Sequence, residues 1–189
     1  VTLNTNGTGN ATVVNTGALD LAASTIGGNL DATATTGGIT DSGNLSVTGN
    51  ATFNDVALAG ITLDTLQADA NVILTAAGNT SIVNDTALNL EGTVTGTLGA
   101  TATTGGITDS GVLSVSGDAT FNDVAQAGIM LDTLQADSNV ILTSAGNTAI
   151  TNDTALNLEG TVTGTLAATA TTGGITDSGN LSVTGNATF

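Results

Sequence analysis

The sequence predicts an all-β fold: a right-handed parallel β-helix (β-solenoid) with about 21–26 residues per turn and a 68-residue three-turn repeat. Three observations predict it: a fixed repeat period, short alternating apolar runs, and the absence of proline. The 189 residues contain no Pro, Cys, His, Lys, Arg, Trp or Tyr, although 40% are hydrophobic. Short runs rich in Val, Ile and Leu, separated by Gly and Asn, are typical of many short strands joined by tight turns.

The chain repeats itself at a fixed interval. The segment ATATTGGITDSG begins at residues 32, 100 and 168, and NDTALNLEGTVTGTL begins at residues 84 and 152, which gives a 68-residue period. A fixed period indicates a repeat architecture in which each unit packs on its neighbours. We predict a single solenoid segment, residues 1–189, with a partial repeat (1–31), two full repeats (32–99 and 100–167) and a second partial repeat (168–189). Both ends lie inside repeats, so we expect the chain to be a window from a longer repetitive protein or a mature fragment.

Each repeat is too long for one solenoid turn, and its strand-like runs predict three turns. Successive turns are predicted to begin at Val72, Leu98, Ala119 and Val140, in 26-, 21- and 21-residue steps. Strands of successive turns would pair about 4.8 Å apart, with the right-handed connection that parallel strands usually have. The absence of proline fits, because nearly every strand is paired on both sides and needs its N–H groups.

Differences between the repeats predict which side chains point inward. Thr62 is replaced by Met in the next repeat, whereas its neighbours Ile61 and Leu63 are unchanged, and Ser81 becomes Ala beside an unchanged Ile82. Changes therefore fall on alternate residues, which is the period of a strand with one buried face. A helix would give a spacing of about 3.6 residues.

Three segments also resemble the repeats of large bacterial exoproteins of the filamentous haemagglutinin type: GNLSVTGNATF, ITLDTLQADANVILTAAGNTSI and TATTGGITDSG. The resemblance covers nearly the whole chain. It implies a secreted adhesin with a right-handed β-helix shaft, located outside a bacterium that has an outer membrane. It does not imply a particular receptor.

Composition excludes several classes of function. Sixteen Asp and Glu residues face no Lys or Arg, so the formal net charge is −16, and nucleic acid and anionic membranes are excluded as electrostatic partners. No apolar run reaches the roughly 18 residues of a membrane helix. Without His, Cys, Lys or Tyr the chain lacks the usual bases and nucleophiles, and its carboxylates recur with the repeat instead of forming one unique pair. We predict no enzyme activity and no required cofactor.

The acidic turns are the candidate metal site, with Ca²⁺ as the ion. Ca²⁺ takes carboxylate and carbonyl oxygens, and it would relieve repulsion between like charges stacked along a rod. The predicted ligands are the aspartates of three recurring turns: Asp41, Asp109 and Asp177; Asp55 and Asp123; Asp85 and Asp153. The alternative is that Asp and Asn form the turns and solvate the surface without a metal.

Thr-x-Thr pairs offer ice binding as another interpretation of the outer face. Such a pair lies at Thr33 and Thr35 and recurs in each of the next two repeats. An ice-binding face needs aligned pairs on every turn, whereas three-turn spacing separates them by about 14 Å. Outward Thr is also what a strand favours in any case.

The sequence as a whole predicts a structural extracellular protein: a β-solenoid segment of a surface fibre, filament or adhesin shaft. The alternative is a repetitive binding module whose outer face recognises a surface glycan or ice. Expected partners are further copies of the chain, end to end or side by side, and host or cell-surface glycans.

Overall fold

The computed structural model describes residues 1–57, 59–76, 78–143 and 146–189, and within them it contains 21 strands and no helix. The first ten strands are β1 (Ala11–Asn15), β2 (Leu19–Leu21), β3 (Ser24–Ile26), β4 (Leu30–Ala34), β5 (Ile39–Asp41), β6 (Leu45–Val47), β7 (Ala51–Asp55), β8 (Ile61–Ala68), β9 (Asn71–Ala76) and β10 (Thr80–Asn84). The others are β11 (Leu88–Val94), β12 (Leu98–Ala102), β13 (Ile107–Val115), β14 (Ala119–Asp123), β15 (Ile129–Ala136), β16 (Asn139–Leu142), β17 (Thr148–Asn152), β18 (Leu156–Val162), β19 (Leu166–Ala170), β20 (Ile175–Val183) and β21 (Ala187–Thr188).

The strands form two parallel sheets. A ten-stranded sheet has the order β1-β4-β7-β9-β11-β13-β15-β17-β19-β21, and an eleven-stranded sheet has the order β2-β5-β8-β10-β12-β14-β16-β18-β20, with β3 and β6 beside its first members. The chain alternates between the sheets, so each turn adds one rung to each, and the described residues make about nine turns. The predicted β-solenoid is confirmed. No helix of the described residues is long and apolar enough to cross a membrane.

The turns are shorter than the sequence predicted. The shortest are 18-residue turns, such as the one that brings Leu66 into register with Asn84. The longest are 22-residue turns, such as the one that pairs Ile39 with Ile61. The observed lengths overlap the predicted range of 21–26 residues at its lower end, and the predicted upper value of 26 is too long. Short turns suit this composition, because small side chains let the two sheets approach closely around tight Gly- and Asn-containing corners.

One of the three predicted turn steps is wrong. Leu98 pairs with Ala119 and Ala119 pairs with Val140, which confirms the two 21-residue steps. Val72, however, pairs with Leu90, whereas Leu98 lies in the other sheet. The predicted 26-residue turn from Val72 to Leu98 contains three strands, β9, β10 and β11, and is one and a half turns long.

Each full repeat makes three and a half turns, so the predicted three-turn repeat is also wrong. From β12 to its copy β19 the chain passes through seven strands, and an odd number ends in the opposite sheet. β8, for example, belongs to the eleven-stranded sheet, whereas β15, its copy in the next repeat, belongs to the ten-stranded sheet. Inward and outward side chains alternate in the same way in both sheets, so the sequence pattern did not reveal the extra half-turn in each repeat. Equivalent residues of successive repeats therefore lie on opposite faces of the rod.

A continuous apolar core lies between the two sheets. It contains the inward Leu, Ile, Val and Ala side chains of both sheets and the fully buried Phe53 and Phe121. Phe53 pairs in register with Ala32 and Leu74, so the large ring has a small neighbour on one side. Among the described residues, every position at which residues 32–99 and 100–167 differ is exposed or partly exposed, which confirms the predicted inner face.

Candidate functional site: acidic turns and surface grooves

Two of the predicted metal ligands bind the backbone of the next turn. β8 is bulged, because its adjacent residues Asp64 and Thr65 face a single residue of β10. The Asp41 carboxylate accepts both bulge amides, from Asp64 N at 2.8 Å and from Thr65 N at 3.0 Å. Asp109 does the same for the bulge of β15, at 2.8 and 2.9 Å. These carboxylates supply acceptors that the irregular ladder lacks.

The second pair of predicted ligands closes two loops. Asp55 is fully buried at the end of β7 and accepts hydrogen bonds from Ala57 N at 3.2 Å and from Gly60 N. Asp123, which is 1% exposed at the end of β14, accepts one from Gly128 N. Its Oδ1 atom is buried without a hydrogen-bond partner in the described part of the chain. Both carboxylates therefore stabilise the loop that leads to the next strand.

The third pair of predicted ligands, Asp85 and Asp153, each follow a buried asparagine, Asn84 or Asn152. Asn84 Oδ1 accepts a hydrogen bond from Ala68 N at 2.8 Å, and its Nδ2 donates to Ala68 O at 3.1 Å and to Ala87 O at 2.8 Å. Asn152 makes the same pair of bonds with Ala136, at 2.8 and 3.0 Å. Each amide thus replaces a missing backbone rung at a corner of the solenoid.

The predicted carboxylates do not form columns. Asp41 and Asp177 belong to the eleven-stranded sheet and Asp109 to the ten-stranded sheet, because each repeat ends half a turn out of phase. Asp177 is exposed in β20, and Asp85 and Asp153 are exposed after β10 and β17. Among the described residues, no group of three or more acidic side chains is arranged to hold a metal ion. Calcium binding by these residues stays a prediction.

The repeat produces the same acidic groove twice. The β8 acidic groove, of about 320 Å³, is lined by Asn44, Asp64, Thr65, Val83, Asp85 and Thr103. The β15 acidic groove, of about 240 Å³, is lined by the equivalent residues of the next repeat: Val112, Asp132, Thr133, Thr151, Asp153 and Thr171. In the first groove Asp85 accepts a hydrogen bond from Gln67 Nε2. The two grooves lie on opposite faces of the rod.

A second pair of grooves differs in chemistry. The hydroxyl groove, of about 450 Å³ on the eleven-stranded sheet, includes Thr62, Ser81, Gly99, Asp118, Thr120 and Ile141. The apolar groove, of about 510 Å³ on the ten-stranded sheet, includes Ala87, Thr108, Ala127, Met130, Ala149 and Ala167. Three floor positions correspond: residues 62, 81 and 99 of the first groove recur as 130, 149 and 167 of the second.

The Thr-x-Thr pairs alternate between faces. The pair at Thr33 and Thr35 begins in β4 of the ten-stranded sheet. The next pair, Thr101 and Thr103, begins in β12 of the eleven-stranded sheet, and the third begins in β19 of the ten-stranded sheet. On one face, copies of this pair are therefore seven turns apart, about 34 Å.

The sequence did not predict the grooves, and it did not predict that two recurring asparagines are buried. The repeat comparison does not single them out: Asn84 recurs as Asn152, but the exposed Asn79 also recurs, as Asn147. Identifying the grooves requires knowing which strands are neighbours, and this depends on the half-turn offset between successive repeats.

The family described as "Repeats of unknown function (DUF5649)" matches residues 8–77, 77–149 and 145–189. The successive matches begin at positions 8, 77 and 145, in agreement with the period of the sequence. Comparison with curated proteins and with solved structures found no significant match.

Proposed function

We propose that this chain, which belongs to the family of repeats of unknown function (DUF5649), is a rod-shaped segment of an extracellular fibre or adhesin shaft. One observation carries the proposal: both parallel sheets and the core between them continue through all the turns of the described chain. A repeat that only lengthens such a rod adds reach and stiffness, and it needs no reactive group.

The contacts between turns support a mechanical role. Each turn is bound to the next by two parallel ladders, and buried amides such as Asn84 and carboxylates such as Asp55 satisfy the backbone at the corners. The core consists of inward aliphatic side chains that meet the same kinds of side chain on neighbouring turns. Bending such a rod would stretch both ladders and open the core, so resistance to bending is distributed over the whole length.

Composition supports a location outside the cell. The chain has no cysteine to form wrong disulfides during export, and it has no Lys or Arg at which trypsin-type proteases cleave. The resemblance of its repeats to filamentous haemagglutinin-type exoproteins points to the same setting. We therefore propose the shaft of a secreted bacterial surface protein, with any receptor-binding part located elsewhere.

A repetitive binding module is the second candidate. The observation that favours it is the pair of acidic grooves, because equivalent positions of the two repeats line both. Polar side chains of the kind found there form hydrogen bonds with neutral glycans. The grooves lie on opposite faces, so a binding module would hold ligands on both sides of the rod.

The shaft proposal predicts that length grows linearly with repeat number. Each full repeat adds three and a half turns, so the rod should lengthen by about 17 Å per added repeat at constant width. Electron microscopy of the chain and of versions with two and four added repeats measures this, with and without a calcium chelator. Particles that become wider or rounder as repeats are added would contradict the proposal. Filaments that separate in chelator would support cation bridges at the acidic turns.

A further inference from the structure

We propose that the apolar groove is a pairing surface for a second copy of this chain, so that two rods associate side by side through their ten-stranded faces. The pairing rests on the rod function proposed above and adds a partner to it. It concerns the outer column of Thr108, Met130, Ala149 and Ala167, which follow one another in register on β13, β15, β17 and β19.

The first support is the way in which the two repeats differ. Thr62, Ser81 and Gly99 form a column on the outer face of the eleven-stranded sheet, in register on successive strands. In the next repeat these three adjacent positions are Met, Ala and Ala. Two hydroxyl groups are replaced by apolar side chains and one methyl group is added, all within a single groove. The groove on the eleven-stranded face is thus more polar than its counterpart on the ten-stranded face.

The second support is charge. Two copies with a net charge of −16 each repel one another, and the sequence has no Lys, Arg or His to offset this. The apolar groove has no Asp or Glu among its described lining residues, whereas both acidic grooves carry two and the hydroxyl groove carries Asp118. A cationic partner would gain more at the acidic grooves. A partner as acidic as the chain itself meets least repulsion at the apolar groove.

The third support is shape. Met130 is 55% exposed and stands beside two small residues, Ala149 and Ala167, on the next two strands. The groove therefore contains a projecting side chain and a shallow depression one to two rungs away, about 5–10 Å. Around a two-fold axis, Met130 of one copy would lie over the alanines of the other copy, and the reverse. Such self-complementarity is what an isologous dimer requires.

The first test removes the apolar side chains of the apolar groove. It replaces them with the residues that occupy the equivalent positions in the hydroxyl groove. The triple variant M130T/A149S/A167G gives the ten-stranded face the floor residues of the hydroxyl groove, so that the fold is retained. Sedimentation equilibrium in moderate salt, which screens the repulsion, should give a dimer for the unchanged chain. The triple variant should raise the dimer dissociation constant at least about tenfold, with an unchanged circular dichroism spectrum and unchanged rod length.

The gain test makes the opposite exchange. The variant T62M/S81A/G99A creates a second apolar floor on the opposite face, and a Cβ at residue 99 meets no atom closer than 3.9 Å. With pairing surfaces on two faces, rods should form oligomers larger than dimers. The chain has no cysteine, so the Ala149→Cys variant should form an intermolecular disulfide on mild oxidation, whereas the Ser81→Cys variant, at the equivalent position, should not.

Three results would overturn the pairing. They are a monomeric unchanged chain at every concentration and salt, a dimer that the M130T/A149S/A167G variant retains, and equal cross-linking at residues 149 and 81. None of them would affect the shaft proposal, because rod length is measured on the same samples and does not depend on pairing.

Discussion

Replacing Gly92 by alanine is expected to cost this chain far more stability than a methyl group added at an open position such as Gly99. Gly92 lies in β11 with φ of 115°, a conformation that costs an L-residue roughly 1–3 kcal/mol. A Cβ at this position would also lie 2.0 Å from the carbonyl oxygen of Leu74, its register partner in β9. Because the obstacle is backbone, β9 and β11 must separate. We expect a loss of roughly 3 kcal/mol or more of unfolding free energy.

The chain offers matched controls for this change. Gly160, the equivalent residue on the opposite face, has φ of 112° and the same 2.0 Å approach to Leu142 O, so Gly160→Ala should destabilise as strongly. Gly99→Ala should be neutral, because its Cβ has room and Ala167 occupies the equivalent place. Denaturant midpoints and amide hydrogen exchange in β9 and β11 measure the effect. Equal stability of the Gly92 and Gly99 variants would contradict the register of these strands.

Replacing Asn84 by leucine is expected to have the second largest effect. Leucine has the same number of side-chain heavy atoms, branched at the same carbon, so the change removes hydrogen bonds without leaving a cavity. It removes the acceptor of the buried Ala68 N–H and the Nδ2 donor of Ala68 O and Ala87 O, although Ala68 O keeps the hydrogen bond from Thr86 Oγ1 at 2.7 Å. Buried polar groups left unpaired cost about 1–3 kcal/mol each. Because the backbone at the corner relaxes in part, we expect a total loss of about 2–4 kcal/mol.

An exposed asparagine is the control for Asn84. Asn44 lies on the surface, and Val112 occupies the equivalent place in the next repeat, so Asn44→Val should change the unfolding free energy by less than about 0.5 kcal/mol. Thermal and denaturant unfolding of the two variants measure the difference. If Asn84→Leu proves as stable as Asn44→Val, the side chain of Asn84 does not support the corner.

The inner and outer faces of the strands could be predicted from the sequence. Thr62 and Met130 differ between repeats and are both exposed, whereas Ile61 and Leu63 recur and are buried. Comparing a repeat with its copy identifies the positions that a tightly packed core holds fixed. Recurrence does not by itself mark a buried residue, because the exposed Asn79 also recurs, as Asn147.

The placement of each repeat around the rod could not be predicted from the sequence. The alternation of apolar and polar residues is the same in both sheets, so it does not show in which sheet a given strand lies. The functions of Asp41 and Asp109 were missed for a related reason: each accepts amides from a bulge one turn later, and a bulge in a parallel ladder leaves no periodic signal. These two carboxylates therefore resembled metal ligands, although each accepts two backbone amides.

The half-turn offset has a consequence for any longer array of these repeats. A groove on one face recurs on the opposite face about 17 Å further along the axis and on the original face about 34 Å along. Copies of each groove thus lie on both faces of the rod, which suits a fibre that packs against neighbours on two sides. The difference between the hydroxyl and apolar grooves shows that the two faces can also diverge.

The distance between equivalent residues of successive repeats tests the account most directly. Cysteines replacing Thr62 and Met130 can be spin-labelled selectively, because the chain has no other cysteine, and electron paramagnetic resonance then measures their separation. The reference pair is Thr62 and Thr120, which lie three strands apart on one face, about 14 Å. Opposite faces and an axial offset of about 17 Å predict more than about 20 Å for the first pair. A separation equal to that of the reference pair would mean a whole-turn repeat and would contradict the two-faced rod.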